Sequence, residues 1–195
     1  MKRIILINSC VRGNESRTLK LTRGIIDRLK EKAVFEEINL SNLGLIPYTE
    51  SNNPNYHGVE SRFVELAKKI ADSDGLLIAA PFWDMSFPSL LKVFLEKLSL
   101  NEIMFKDNGK TCVGIAKCPF MFYVTTRGMN IPDNSSLEQA SPYLKALCEL
   151  WGIKHFDFVS VFNCDYISLD ELNKKIQVAI DVGSEKLLTL FEEIK

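Results

Sequence analysis

The sequence has almost no net charge: 24 Lys and Arg stand against 25 Asp and Glu, leaving −1 at pH 7 with an isoelectric point near 6.2. A protein that neutralises nucleic-acid phosphates or lies on anionic lipid needs a basic field, and none is present. Neither nucleic acid nor membrane is an expected partner. Long apolar runs are also missing. The run Ile4-Ile5-Leu6-Ile7 is far below the roughly 20 apolar residues that span a bilayer, and no small-residue cleavage site of a signal peptide follows it. The expected location is the cytoplasm. Histidine is scarce, and neither His57 nor His155 neighbours a candidate nucleophile. The five cysteines, Cys10, Cys112, Cys118, Cys148 and Cys164, are odd in number and form no C-x-x-C. A disulfide framework and a zinc centre are therefore not expected, and free, half-buried thiols in a reducing compartment are. Three nucleotide and hydrolase motifs are absent: G-x-G-x-x-G, G-x-x-x-x-G-K-[ST] and G-x-S-x-G.

What is present is an ordinary globular composition, with 46% hydrophobic and 25% charged residues over 195 positions. That length suits one domain, residues 1–195. Lys2 to Asn8 (KRIILIN) and Gly75 to Ala80 (GLLIAA) are continuous apolar runs, the pattern of strands buried on both faces of a parallel sheet. Val34 to Leu40 is less apolar and suits a strand nearer the edge. Pro119 to Thr125 and His155 to Phe162 read as two more strands. In the last of these, Phe156, Phe158 and Val161 alternate with polar residues.

Helical spacing follows the first strand through Leu19, Leu21, Ile25, Ile26 and Leu29, and recurs at about 59–73 and 88–98. Ser141-Pro142 reads as an N-cap and first helical residue, with Gly152 as the stop. Ser168-Leu169-Asp170-Glu171 reads as a capping box for a last helix reaching Lys195. Asp107-Asn108-Gly109-Lys110 predicts a tight hairpin turn inserted between a helix and a strand. Residues 41–58, with two prolines and several asparagines, read as a long surface loop. Five strands alternating with five helices predict an open parallel sheet covered on both faces, which binds ligands at the carboxyl ends of its strands.

Three loops at that edge carry the chemistry. Ser9 to Thr18 is rich in hydroxyls and leads into a helix N-terminus, where unpaired amides and the helix dipole suit a phosphate. Arg12 or Arg17 could add charge-assisted bonds. A capped turn, with Ser16 only capping the helix, explains the same residues. Ala80 to Pro88 gathers Phe82, Trp83 and Phe87 in one short connection. A flat apolar ligand accounts for that concentration, and so does a fold-back of Phe82 and Phe87 into the core. Thr125 to Asn130 offers a hydroxyl, a guanidinium and, at Gly128, a close backbone approach, or else a plain turn with a surface arginine.

With the three loops in place, the chain resembles the FMN-dependent NADH azoreductase and quinone reductase family, of flavodoxin-like fold. The resemblance is nearly full length. It is carried by the Ser9 to Thr18 loop, A-P-x-x-x-x-S-x-P-x-x-L-K-x-F at Ala80 to Phe94, T-x-R-G at Thr125 to Gly128, and P-Y-L with G-I between Pro142 and Ile153. It implies a sheet of order 2-1-3-4-5 with an inserted hairpin, non-covalent FMN, NADH or NADPH as co-substrate, a quinone or azo acceptor, and a homodimer. The implied chemistry is ping-pong, with no side chain serving as general acid or base. The resemblance puts the FMN phosphate and ribityl chain on Ser9, Ser16, Arg17 and Thr18. It puts the isoalloxazine beside Phe82, Trp83, Asp84, Met85, Thr126, Arg127, Gly128 and Met129. Asp84 departs from the family, whose better-known members carry an amide there. A non-enzymatic electron carrier on the same fold is the alternative, against which the near-neutral charge and the extra hairpin count.

Overall fold

The computed structural model describes residues 1–193. Five parallel strands form the sheet: β1 (Lys2–Asn8), β2 (Ala33–Asn39), β3 (Gly75–Ala79), β6 (Phe120–Thr126) and β7 (His155–Val161). Their order is β2-β1-β3-β6-β7, which among the sheet strands is the expected 2-1-3-4-5. The inserted hairpin is β4 (Phe105–Asp107) against β5 (Cys112–Gly114), antiparallel. The helices are α1 (Arg17–Leu29), α2 (Pro54–His57), α3 (Ser61–Ala71), α4 (Ser89–Leu98), α5 (Ala140–Trp151) and α6 (Leu169–Glu193). The expected run of the last helix to Lys195 passes beyond Glu193, outside the described residues.

Burial on both faces is why the strand sequences are unbroken apolar runs. Ile5, Ile7, Leu76, Ile78, Met121 and Tyr123 face one layer, with Phe63, Ile70, Leu91, Phe94, Leu144 and Trp151 from α3, α4 and α5. Ile4, Leu6, Leu77, Phe120, Phe122 and Val124 face the other, with Leu21, Ile25, Leu187 and Leu190 from α1 and α6. Burying each Ile or Leu contributes about 1.5–3 kcal/mol, so alternation with polar residues would forfeit one layer. The chain leaves β1 toward α1 on one face and β3 toward α4 on the other, opening a cleft at the strands' carboxyl ends.

Several local details differ from the sequence expectation. α5 begins at Ala140, not at a Ser141 cap, because the buried Glu138 carboxylate accepts the amides of Ala140 (2.9 Å) and Ser141 (3.1 Å). The hairpin turn is a four-residue loop, Asn108–Thr111, whose first side chain accepts the amides of Lys110 and Thr111 at 3.0 Å each. Within 41–58 the chain forms a 3-10 turn at Glu50–Asn52 and then α2, capped by Asn53 with Pro54 at its first position. Among the described residues no helix is long and apolar enough to cross a membrane.

Candidate functional site

The three loops expected to carry chemistry meet at one cavity of about 400 Å³ at the carboxyl edge of the sheet. Ser16, Arg17 and Thr18 line it from α1, Phe82, Trp83 and Asp84 from the loop after β3, and Thr126, Gly128 and Met129 from the end of β6. Arg12, Pro81 and Asp165 complete the wall. Ser9, Met85 and Arg127 do not line it.

At the α1 end the capped-turn reading and the cradle reading both describe the geometry. Ser16 is the N-cap, its Oγ accepting the Leu19 amide at 3.2 Å, while the Lys20 amide goes to the Ser16 carbonyl at 3.0 Å. The Arg17 and Thr18 amides have no partner among the described residues, as the first turn of a helix requires. With the positive end of the α1 dipole behind them, they suit an anion. Thr18 Oγ1 shares a buried hydrogen bond of 2.7 Å with Thr126 Oγ1, which ties α1 to the end of β6. Ser9 is fully buried beneath this end, with no partner for its Oγ among the described residues. Arg17 pairs with Asp165 across the cavity, whereas Arg12 has no ion-pair partner among the described residues.

The aromatic end rests on a tight turn. Trp83 and Ser86 exchange both backbone hydrogen bonds (2.8 and 2.9 Å), and the two residues between them, Asp84 and Met85, have φ of 48° and 65°. Positive φ at both central positions is the type I′ pattern, usually given to Gly or Asn, so two side chains are held here at a cost in strain. The turn presents Trp83 at 43% exposure while Phe82 stays buried at 7%. Phe82 and Phe87 are both buried in the core layer, so the fold-back reading holds for both, and Phe82 also reaches the cavity wall.

The third wall is laced to the loop after β7. The amides of Asn163, Cys164 and Asp165 donate to the carbonyls of Met129, Arg127 and Gly128 at 2.9, 3.1 and 3.1 Å. A Cβ on residue 128 would come within 2.0 Å of Asp165 Oδ2, so Gly128 is what lets this carboxylate sit at the cavity wall. Asp165 was absent from the sequence expectation. The available signal was topological, since the loop after the last strand ends at the same sheet edge as the other three. Arg127, expected at the ring edge, is instead fully buried behind it.

Cys10 is also buried, its Sγ donating to the Ala79 carbonyl at 3.5 Å. Burial pushes its thiol up to about 11, so at neutral pH it is protonated and a poor nucleophile.

The model of the family Flavodoxin_2, described as a flavodoxin-like fold, matches residues 2–185. The chain belongs to this flavodoxin-like family. Its relatives include FMN-dependent NADH:quinone oxidoreductase 2 of Clostridium perfringens, 24% identical across 97% of this chain and 98% of the relative. An FMN-dependent NADH:quinone oxidoreductase of Clostridium beijerinckii is 26% identical across 88% and 90%. Among solved structures, an FMN-dependent NADH-azoreductase from Bacillus anthracis, crystallised with FMN, superposes with a TM-score of 0.80 at 18% identity. That match covers 95% of this chain and 99% of the other. The flavodoxin-like chain thus shares its fold over nearly the full length of these proteins.

The residues at the cavity fit FMN. A phosphate dianion answers the unpartnered Arg17 and Thr18 amides, and a flat ring answers the Trp83 turn facing Gly128 and Met129.

Proposed function

We propose that this flavodoxin-like chain is an FMN-dependent NADH oxidoreductase that reduces quinones or azo compounds. The single observation carrying the reading is the cavity itself, with unpartnered helix-start amides at one end and a strained turn holding an exposed tryptophan at the other. The full-length quinone reductase relatives support it. In this proposal Ser16, Arg17 and Thr18 hold the FMN phosphate and ribityl chain, with Arg12 adding charge and Ser9 supporting the loop from beneath. Phe82 to Met85 and Thr126 to Met129 flank the ring, Met85 through the turn it completes and Arg127 from behind the wall. FMN held there would supply the two-electron redox chemistry between NADH and the acceptor, in a ping-pong cycle. The protein's part is to orient and to exclude water: Trp83 and Met129, both about two-fifths exposed, bound an open ring end on which flat molecules stack in turn. No side chain is needed as acid or base.

The whole chain acts here as one FMN-binding domain, in the cytoplasm, as a homodimer whose two sites lie at the subunit interface. Steady-state NADH oxidation with menadione by the FMN-loaded protein tests the reading. Turnover well above that of free FMN is expected. FMN binding without such turnover would instead favour an electron carrier.

A further inference from the structure

Arg127 stands just past the end of β6, and its side chain is fully buried. Its Cζ lies 5.3 Å from the centroid of the Phe82 ring, over which it stacks. Phe82 lines the cavity and Arg127 does not. Of its three guanidinium nitrogens only Nη1 is engaged, donating to the Ile131 carbonyl at 2.8 Å and lying 2.8 Å from Asp133 Oδ1 in an ion pair. Nε and Nη2 have no partner among the described residues.

The counter-charge paired with Arg127 is weak. Asp133 is 46% exposed and also accepts the Ser160 hydroxyl at 2.6 Å, so water and a second donor share its charge. Glu138 is buried but spends its carboxylate on the α5 amides. A guanidinium keeps its proton in proteins, so burial cannot neutralise it. A buried cation whose partner faces solvent leaves a positive potential in the poorly screened region around it.

We propose that Arg127 sets the redox potential of the site from behind Phe82. Its positive charge favours the reduced, more negative state of bound FMN over the oxidised state without touching the cofactor. The inference rests on the FMN reading above. Arg127 is a positioning residue for charge, in contrast to the cavity-lining Arg17, which meets the ligand directly.

Three FMN-loaded variants and the wild type, each equilibrated with a reference dye, give the two-electron midpoint potential. Arg127→Gln is expected to lower the preference for reduced FMN about tenfold, a fall of about 30 mV. Arg127→Lys, which keeps the charge, is expected to recover most of that fall. Asp133→Asn, which keeps the size of the side chain, removes the counter-charge and is expected to raise the potential. Oxidised FMN should bind all of them with similar affinity. A merely structural role for Arg127 would change affinity or stability, but would not shift the potential in opposite directions in the two charge variants. If Arg127→Gln fails to fold, Asp133→Asn decides by its sign. Unchanged potentials in folded, FMN-binding variants overturn the inference alone. Failure of the wild type to take up FMN overturns the functional reading beneath it.

Discussion

Ser16 does two things at once, and substitution can separate them. Its Oγ caps α1 through the Leu19 amide, and its position at the cavity wall makes the same hydroxyl available to a phosphate. Ser16→Ala is expected to cost about 1 kcal/mol of stability through the lost cap, while Ser16→Gly costs only a few tenths. Both should weaken FMN binding alike. Urea unfolding read beside FMN titration checks this, and full FMN affinity in Ser16→Gly would make the serine a cap and nothing more. At this scale the sequence was legible where a residue's own chemistry decides its place, as with the Ser16 cap or the exposed Trp83. It was illegible for Arg127, because T-x-R-G shows a guanidinium at a loop but not that its side chain is buried behind Phe82. Asp165 was hidden for another reason. Nothing near it in sequence marks it, and it reaches the wall through its own backbone bond to Gly128 and that of Cys164 to Arg127, partners far apart in sequence.

Among elements, the inserted hairpin shows how closely the pieces are fitted. A Cβ on Gly114 of β5 would come within 2.0 Å of the Gly152 amide nitrogen at the end of α5, and neither backbone has a flexible tip that can move aside. Gly114→Ala is expected to destabilise by about 2–3 kcal/mol, an overpacking cost, read as a lower urea midpoint with an unchanged slope. A neutral result would mean the hairpin does not pack on α5. The edge strand β7 is guarded differently. The Phe158 amide is taken by Asp157 Oδ1 at 2.7 Å, and its carbonyl accepts Lys186 Nζ at 3.0 Å. Side chains thus occupy both outward groups of a central edge residue, which blocks pairing with another strand there. The strands, α1, α3 and α4 were legible because their apolar periodicity is long and consistent. α2 was not: four residues have no periodicity to read, and only the Asn53-Pro54 start signal was there to be used.

Over the whole molecule, burial of thiols and a phenol ties stability to alkaline pH. Burial raises Cys10 and Cys118 to about 11 and Cys148 to about 12, from an ordinary thiol value of 9.0, and pushes the fully buried Tyr123 phenol up as well. Between those values the unfolded chain loses protons that the folded chain keeps. Their contribution is complete below pH 9 and is lost as pH rises toward 11–12. Denaturant midpoints measured from pH 8 upward should therefore hold level and then fall, and Cys148→Ala should make the fall shallower. A midpoint that stays flat to pH 11 would contradict the burial of these groups. The measurement that bears most directly on the cavity's purpose is titration of the purified protein with FMN and, separately, with riboflavin, followed by flavin absorbance and fluorescence. If the helix-start amides hold a phosphate and the Trp83 turn a ring, FMN binds one per chain and riboflavin binds far more weakly. Equal binding of the two would remove the phosphate from the α1 end, and uptake of neither would contradict the account.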